Sequence, residues 1–147
     1  MDTIILVIMI LESNGNLMAV NGEHYGVLQI SEACWSDVRT GKFNKEKLFD
    51  PEYSRSIFID YINRWAPNKT PVEIARIWHG GPQGHKKSST RDYGRRFMIL
   101  YNILEWSTKD WYKLNAASFL FLGRRACNLQ EISDSVDYFK EYCFEEN

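Results

Sequence analysis

Residues 4–11 read Ile-Ile-Leu-Val-Ile-Met-Ile-Leu and end at Glu12. Eight consecutive apolar residues present no polar face, so in water the rest of the chain has to enclose them. Periodicity alone leaves residues 3–13 open between a buried strand and a helix apolar on every side. Asp2 as a cap, the length to Ser13 and the stop signal Asn14-Gly15-Asn16 favour the helix. The run lacks a basic leading region and an A-x-A-like cleavage site, and it is too short to span a bilayer. It is therefore expected to be core rather than a targeting or membrane segment, leaving any delivery outside the cytoplasm to other means.

A chain of 147 residues is the size of one domain with a real core. A single monomeric domain over 1–147 is the expectation. The net charge is −1 and the composition 44% hydrophobic, which places the chain among globular proteins and gives no global attraction to nucleic acid. Charge is uneven, however. His85–Arg96 carries five Lys/Arg against one Asp, and Glu131–Asn147 six acids against one Lys. Cys34, Cys127 and Cys143 form no C-x-x-C and are odd in number, so reduced, buried thiols are expected.

Turn chemistry organises the remainder. Asn21-Gly22 followed by Tyr25-Gly26-Val27-Leu28-Gln29-Ile30 predicts a turn leading into a short strand. A short helix is expected from Ser31-Glu32, ending before Thr40-Gly41. Asp50-Pro51-Glu52 places a capping acid before a first-turn proline and starts a helix to about Trp65. Thr70-Pro71-Val72-Glu73 is a capping box opening a helix over about 71–79, closed by Gly80-Gly81-Pro82-Gln83-Gly84. Further helices are predicted over about 91–105, 108–122 and 129–144. The fold class is mainly α (α+β), with a buried central helix and one small β-hairpin.

Glu12 is the residue with chemical promise. Burial disfavours a carboxylate, and so does the negative end of a helix macrodipole. A carboxyl kept protonated is what a general acid needs in order to protonate a glycosidic oxygen. The plain alternative is that Glu12 is the first solvated residue after a core helix.

Its neighbourhood resembles a family. Glu12-Ser13 with Gly15-Asn16, then Tyr25-Gly26-Val27-Leu28-Gln29-Ile30, is similar to the catalytic signature of goose-type lysozymes and soluble lytic transglycosylases. Ile74-Ala75-Arg76-Ile77-Trp78-His79-Gly80-Gly81-Pro82 resembles that family's A-x-Y-N-x-G-P segment. Ser89-Thr90-Arg91-Asp92-Tyr93-Gly94-Arg95-Arg96-Phe97 resembles its E-T-x-x-Y-V-x-x-V block. The four blocks follow in order over residues 3–97, and residues 105–147 carry no such likeness. His79 stands where many members carry Asn, and Gly94 where Val is usual.

The resemblance implies a lysozyme-like fold and cleavage of the β-1,4 bond between N-acetylmuramic acid and N-acetylglucosamine in peptidoglycan, with the bacterial cell wall as the site of action. It implies Glu12 as acid and then base, Ser13 holding Glu12 or the substrate, and Tyr93 facing Glu12 across the cleft. Tyr25, Gly26 and Gln29 would meet sugar, and His79 and Gly80 would line the same cleft. Glu23 and Asp37 are the candidates for a second, water-activating carboxylate, which hydrolysis with inversion needs and a lytic transglycosylase does not. Glu23 reads equally as a solvated turn residue.

Other features have plainer readings. His24, His79 and His85 lack the spacing of a zinc site, and the glycine-rich segment at 80–84 is no phosphate loop, so neither metal nor cofactor is expected. Trp35, Trp65, Trp78, Trp106 and Trp111 are expected in the core rather than as sugar platforms. The basic stretch 86–96 reads as a solvated helix start, a phosphate-binding surface or a guide toward the anionic wall, and no nucleic-acid-binding motif accompanies it. The partner expected is a peptidoglycan glycan strand, without nucleic acid or membrane insertion. Two other classes stay open: a catalytically silent glycan-binding or structural module, and a nucleic-acid binder using residues 86–96.

Overall fold

The computed structural model describes residues 1–110, the last five by backbone alone. The described residues are mainly helical with one small two-stranded sheet. The helices are α1 (Asp2–Ser13), α2 (Glu32–Ser36), α3 (Pro51–Trp65), α4 (Pro71–Gly80) and α5 (Arg91–Asp110), and the strands β1 (Val20–Asn21) and β2 (His24–Tyr25). Short 3-10 turns occupy Lys45–Phe49, Gly84–Lys86 and Ser88–Thr90. Residues 1–98 form one compact unit. Of the second, which begins at Ile99, the description covers residues 99–110, where Leu100 and Leu104 are buried one helical turn apart.

Helix α1 is the core element that its sequence demands. Ile4, Ile5, Val7, Ile8, Met9 and Ile10 are all buried, Val7 and Ile8 completely. It ends where expected: Asn14 takes the left-handed conformation at φ 52°, and its N–H donates to the Ile10 carbonyl at 2.9 Å. Asn and Gly tolerate that conformation, which is why this tripeptide can stop a helix. Asp2 does not cap the helix. Met1 holds the cap position, and the Asp2 carboxylate pairs with Arg55 at 2.7 Å.

The helices around it follow their local signals. Asp50 caps α3 by accepting from the N–H groups of Glu52 and Tyr53 at 2.8 and 3.0 Å. Helix α3 buries Ile57, Phe58, Tyr61 and Ile62 along one face, with Ser54 fully buried among them. The Ser54 hydroxyl donates to the Leu48 carbonyl at 2.7 Å, so its burial leaves no orphan donor. At the start of α4 the Glu73 carboxylate accepts from both the N–H and the hydroxyl of Thr70, at 3.0 and 2.9 Å.

Two expectations are corrected. The short strand expected over residues 25–30 is confined to His24–Tyr25, and residues 26–29 turn instead. The hairpin pairs Val20 with Tyr25 and Asn21 with His24, and the chain then reverses so that Tyr25 and Ile30 face each other across a single bridge. Gly26 at φ +72° and Gln29 at φ 53° produce this turn. Nor does α5 break near residue 106, since it runs continuously from Arg91 to Asp110. The remainder of the helix expected over 108–122 and the helix expected over 129–144, together with Trp111, Cys127 and Cys143, lie outside the described residues.

Aromatic side chains knit the unit together. Trp78 packs on Phe58 and Tyr61 at ring separations of 4.8 and 5.4 Å, and its indole N–H donates to the Leu28 carbonyl at 3.3 Å. The buried Trp35 donates to the Tyr53 hydroxyl at 2.9 Å. These two tryptophans are structural.

Gly26 is buried at positive φ, and a Cβ there would collide with the Leu48 carbonyl. Gly26→Ala is therefore expected to cost about 2 kcal/mol or more, combining backbone strain with a steric clash. Thermal denaturation checks this, and a melting point equal to that of wild type would contradict it. The Glu73 carboxyl is held below its ordinary value near 4.5, first by the Thr70 N–H and then by the Thr70 hydroxyl. A depressed folded-state value stabilises the fold above the ordinary value and is lost as pH falls through the depressed one. Glu73→Ala should thus lower the melting point at neutral pH, and the deficit should shrink with acidification below the ordinary value.

Candidate active site

Three helices deliver one side chain each to a common point. Glu12 comes from the last turn of α1, His79 from the last turn of α4 and Tyr93 from the first turn of α5. The His79 and Tyr93 rings lie nearly parallel, 9° apart in plane with centroids at 4.0 Å. His79 Nδ1 stands 3.6 Å from Glu12 Oε1.

Two members of this polar group are largely dry, while the His79 side chain is 42% exposed. Tyr93 is 3% exposed, and the Glu12 side chain 16%. Among the described residues neither Glu12 Oε1 nor Tyr93 Oη has a hydrogen-bond partner. The two groups face each other closely enough to interact, short of a well-formed hydrogen bond, in a site where buried polar atoms are nearly always satisfied. The phenol is pushed well above its ordinary value, by burial first and by the Glu12 carboxylate second, while Arg96 opposes both. Tyr93 consequently stays protonated and offers an O–H donor beside Glu12. The Arg96 guanidinium lies 5.8 Å from the Tyr93 ring centre.

The wall beside Glu12 is the turn at 26–29. The Ser13 hydroxyl donates to the Val27 carbonyl at 2.8 Å and to the Met9 carbonyl at 3.2 Å. Ser13 thereby clamps the end of α1 onto this turn and fixes where Glu12 emerges. The Gln29 amide donates to the carbonyls of Gly26 at 2.8 Å and Ala19 at 3.3 Å, closing the turn and tying it back to the hairpin. Tyr25, half-buried, rests near Phe43 with the Lys45 ammonium 5.6 Å from its ring centre.

Several residues expected to touch substrate are thus occupied with the fold. Gly26 is small because of Leu48, and the Gln29 amide protons are spent on backbone carbonyls. Gly80 is small because a Cβ would sit 2.5 Å from the Thr90 methyl, and its carbonyl accepts from Lys87 Nζ at 2.6 Å. Gly94 is explained in the same way: a Cβ would lie 2.9 Å from Arg76 Cδ. A larger residue at that position would require the Arg76 and Val72 side chains to shift, so the local packing favours the glycine.

The second carboxylate is not brought to Glu12 by any contact. Glu23 is exposed in the turn between β1 and β2 and makes no hydrogen bond or ion pair among the described residues. The Asp37 charge bears instead on Cys34 and Tyr61. Burial, aided by Asp37, pushes the Cys34 thiol up to about 12, leaving it a poor nucleophile at neutral pH.

Part of the basic stretch also serves structure. Arg76, which the sequence did not single out, donates to the Thr90 hydroxyl at 3.0 Å and to the Lys87 carbonyl at 2.8 Å. Thr90, buried at 3%, in turn donates to the Gly84 carbonyl at 2.7 Å. This lattice holds the turn after α4 and so the approach of His79 to Tyr93. A threonine directly before a helix was the available signal for it. Among the described residues no three His, Cys, Asp or Glu side chains converge as a metal ion would need, and no helix is long and apolar enough to cross a membrane.

An unpartnered buried hydroxyl costs stability, so Tyr93→Phe should melt no lower than wild type while losing the donor beside Glu12. A marked drop in melting point would show that the hydroxyl is satisfied in solution. No family model matches this chain and no curated protein is significantly similar to it, so the meaning of the cluster rests on its own geometry.

Proposed function

We propose that the protein is a peptidoglycan-cleaving glycosidase with a lysozyme-like fold, in which Glu12 protonates the glycosidic oxygen between N-acetylmuramic acid and N-acetylglucosamine. The observation that carries this reading is the placement of Glu12: a carboxyl at the end of an enclosed apolar helix, one oxygen buried and unpartnered, beside a buried phenol. The ordered likeness of residues 3–97 to the motifs of goose-type lysozymes and soluble lytic transglycosylases supports it. Cleavage of this kind asks for a carboxyl that can hold and release a proton in a dry site. Tyr93 would donate to the substrate or to the carboxylate once it forms.

The reading favours one acid over two. An inverting hydrolase sets a second carboxyl about 6.5–9.5 Å from the first to activate water. Neither Glu23 nor Asp37 shares a contact with Glu12, whereas a lytic transglycosylase needs only Glu12, acting first as acid and then as base toward the 6-hydroxyl of the muramyl residue. The product would then carry 1,6-anhydro ends. Glycan strands are the partner, and the chemistry requires no cofactor.

Glu12→Gln keeps the shape of the side chain and removes its proton. It should fold as wild type and lose at least about 100-fold in clearing of purified cell walls. Mass spectrometry of the wild-type digest should show 1,6-anhydro ends. Reducing ends together with an inactive Glu23→Ala variant would transfer the reaction to hydrolysis. Wild-type protein that binds walls without cutting them would leave a glycan-binding module.

A further inference from the structure

We propose that His79 keeps the acid protonated in the free enzyme: its Nδ1 accepts the O–H of Glu12, which makes His79 a positioning residue that acts through the acid rather than on the sugar. The inference rests on Glu12 being the acid of the proposed reaction. A carboxyl that alternates between two forms needs a donor for one and an acceptor for the other, all the more where water is scarce. The Tyr93 hydroxyl, which burial keeps protonated, is the donor at hand for the carboxylate. His79 is the acceptor for the acid. Its Nδ1 lies 3.6 Å from Glu12 Oε1, the buried oxygen without a hydrogen-bond partner. The stack on Tyr93, with the rings 9° from parallel, holds the imidazole plane, so the nitrogen keeps its aim.

With its proton on Nε2, a neutral imidazole presents a lone pair at Nδ1, and that nitrogen is a stronger acceptor than a phenol oxygen. A partner that bonds to the neutral form of an acid makes its ionisation harder. At 3.6 Å the pair stands just beyond hydrogen-bond length, as catalytic contacts often do before substrate arrives. Turnover takes nothing from His79. Glu12 gives its proton to the glycosidic oxygen as the bond from that oxygen to C1 of the muramyl residue breaks, and the carboxylate then takes the proton of the 6-hydroxyl as the hydroxyl oxygen bonds to C1. Glu12 ends the cycle protonated, with Nδ1 again as its partner. The charged and titratable groups around His79 are Glu12 from α1, Tyr93 from α5, Arg96 over the Tyr93 ring, and Lys87, whose Nζ donates to the carbonyl of Gly80, the residue after His79.

The test uses the full chain and soluble peptidoglycan fragments of defined length. His79→Phe keeps a flat ring on Tyr93 without an acceptor, and His79→Asn offers an amide oxygen in place of Nδ1. Because it is the free enzyme that loses its proton, the defect should lie in kcat/KM rather than in kcat. For His79→Phe it should reach about 10-fold on the alkaline side of neutrality and shrink steadily toward acid pH, where any carboxyl is protonated unaided. His79→Asn should recover part of the loss. A His79→Phe variant as efficient as wild type, a deficit equal at every pH, or a His79→Asn variant no better than His79→Phe overturns the assignment. Each of these results leaves the role of Glu12 standing if wild type cuts and Glu12→Gln does not, whereas an inactive wild type overturns both.

Discussion

A helix with no polar side can exist in water only if most of its surface is covered, and α1 imposes this condition on the first 98 residues, burying six of its eight consecutive apolar residues and leaving Leu6 and Leu11 half-buried. Its six buried residues would each cost on the order of 2–5 kcal/mol if cut back to alanine, comparable with the net stability of a small domain. Where the helix stops, its last carboxylate must emerge at the margin of the core. Glu12 is held half in and half out for that reason, one oxygen dry, and the geometry of the candidate site begins there.

Precision comes from hydrogen bonds that cross between segments distant in sequence. Ser13 ties the end of α1 to the turn at 26–29, Trp78 ties α4 to the same turn through Leu28, and the Arg76–Thr90 lattice ties α4 to the start of α5. Each uses a side-chain donor on a backbone carbonyl or a hydroxyl that would otherwise be buried unpaired, so breaking one leaves an orphan as well as losing a bond. The three side chains at Glu12 are thus positioned by partners that are themselves fixed.

Close approaches do the same work without polar groups. Gly26 admits the Leu48 carbonyl, Gly80 the Thr90 methyl, Gly84 the Arg76 carbonyl and Gly94 the Arg76 side chain. Gly84 lets the turn after α4 fold back on that helix, and Gly80 and Gly94 sit where α4 meets Thr90 and the start of α5, beside the His79–Tyr93 stack. Residues that look like ligand contacts in a motif here set the packing by being small.

Local chemistry along the chain determined the elements themselves. An unbroken apolar run requires an enclosed segment, Asn14-Gly15 ends it, and Asp50-Pro51 and Thr70-Pro71-Val72-Glu73 start helices because a cap and its N–H partners lie within three residues of one another. Glu12 was legible for the same reason, as an acid closing an apolar run. The tight turn at 26–29 was not, since its conformation depends on Leu48, some twenty residues onward, and the buried Ser54 and Thr90 read as ordinary surface residues until their partners are known. That Tyr93 and His79 stand near Glu12 was implied by the motif resemblance alone, and only the tertiary structure gives the stack of the two rings and the approach of Nδ1 to the carboxyl. Their meeting depends on three helix ends whose placement is decided by which surfaces exclude water, a long-range outcome that no short stretch of sequence contains.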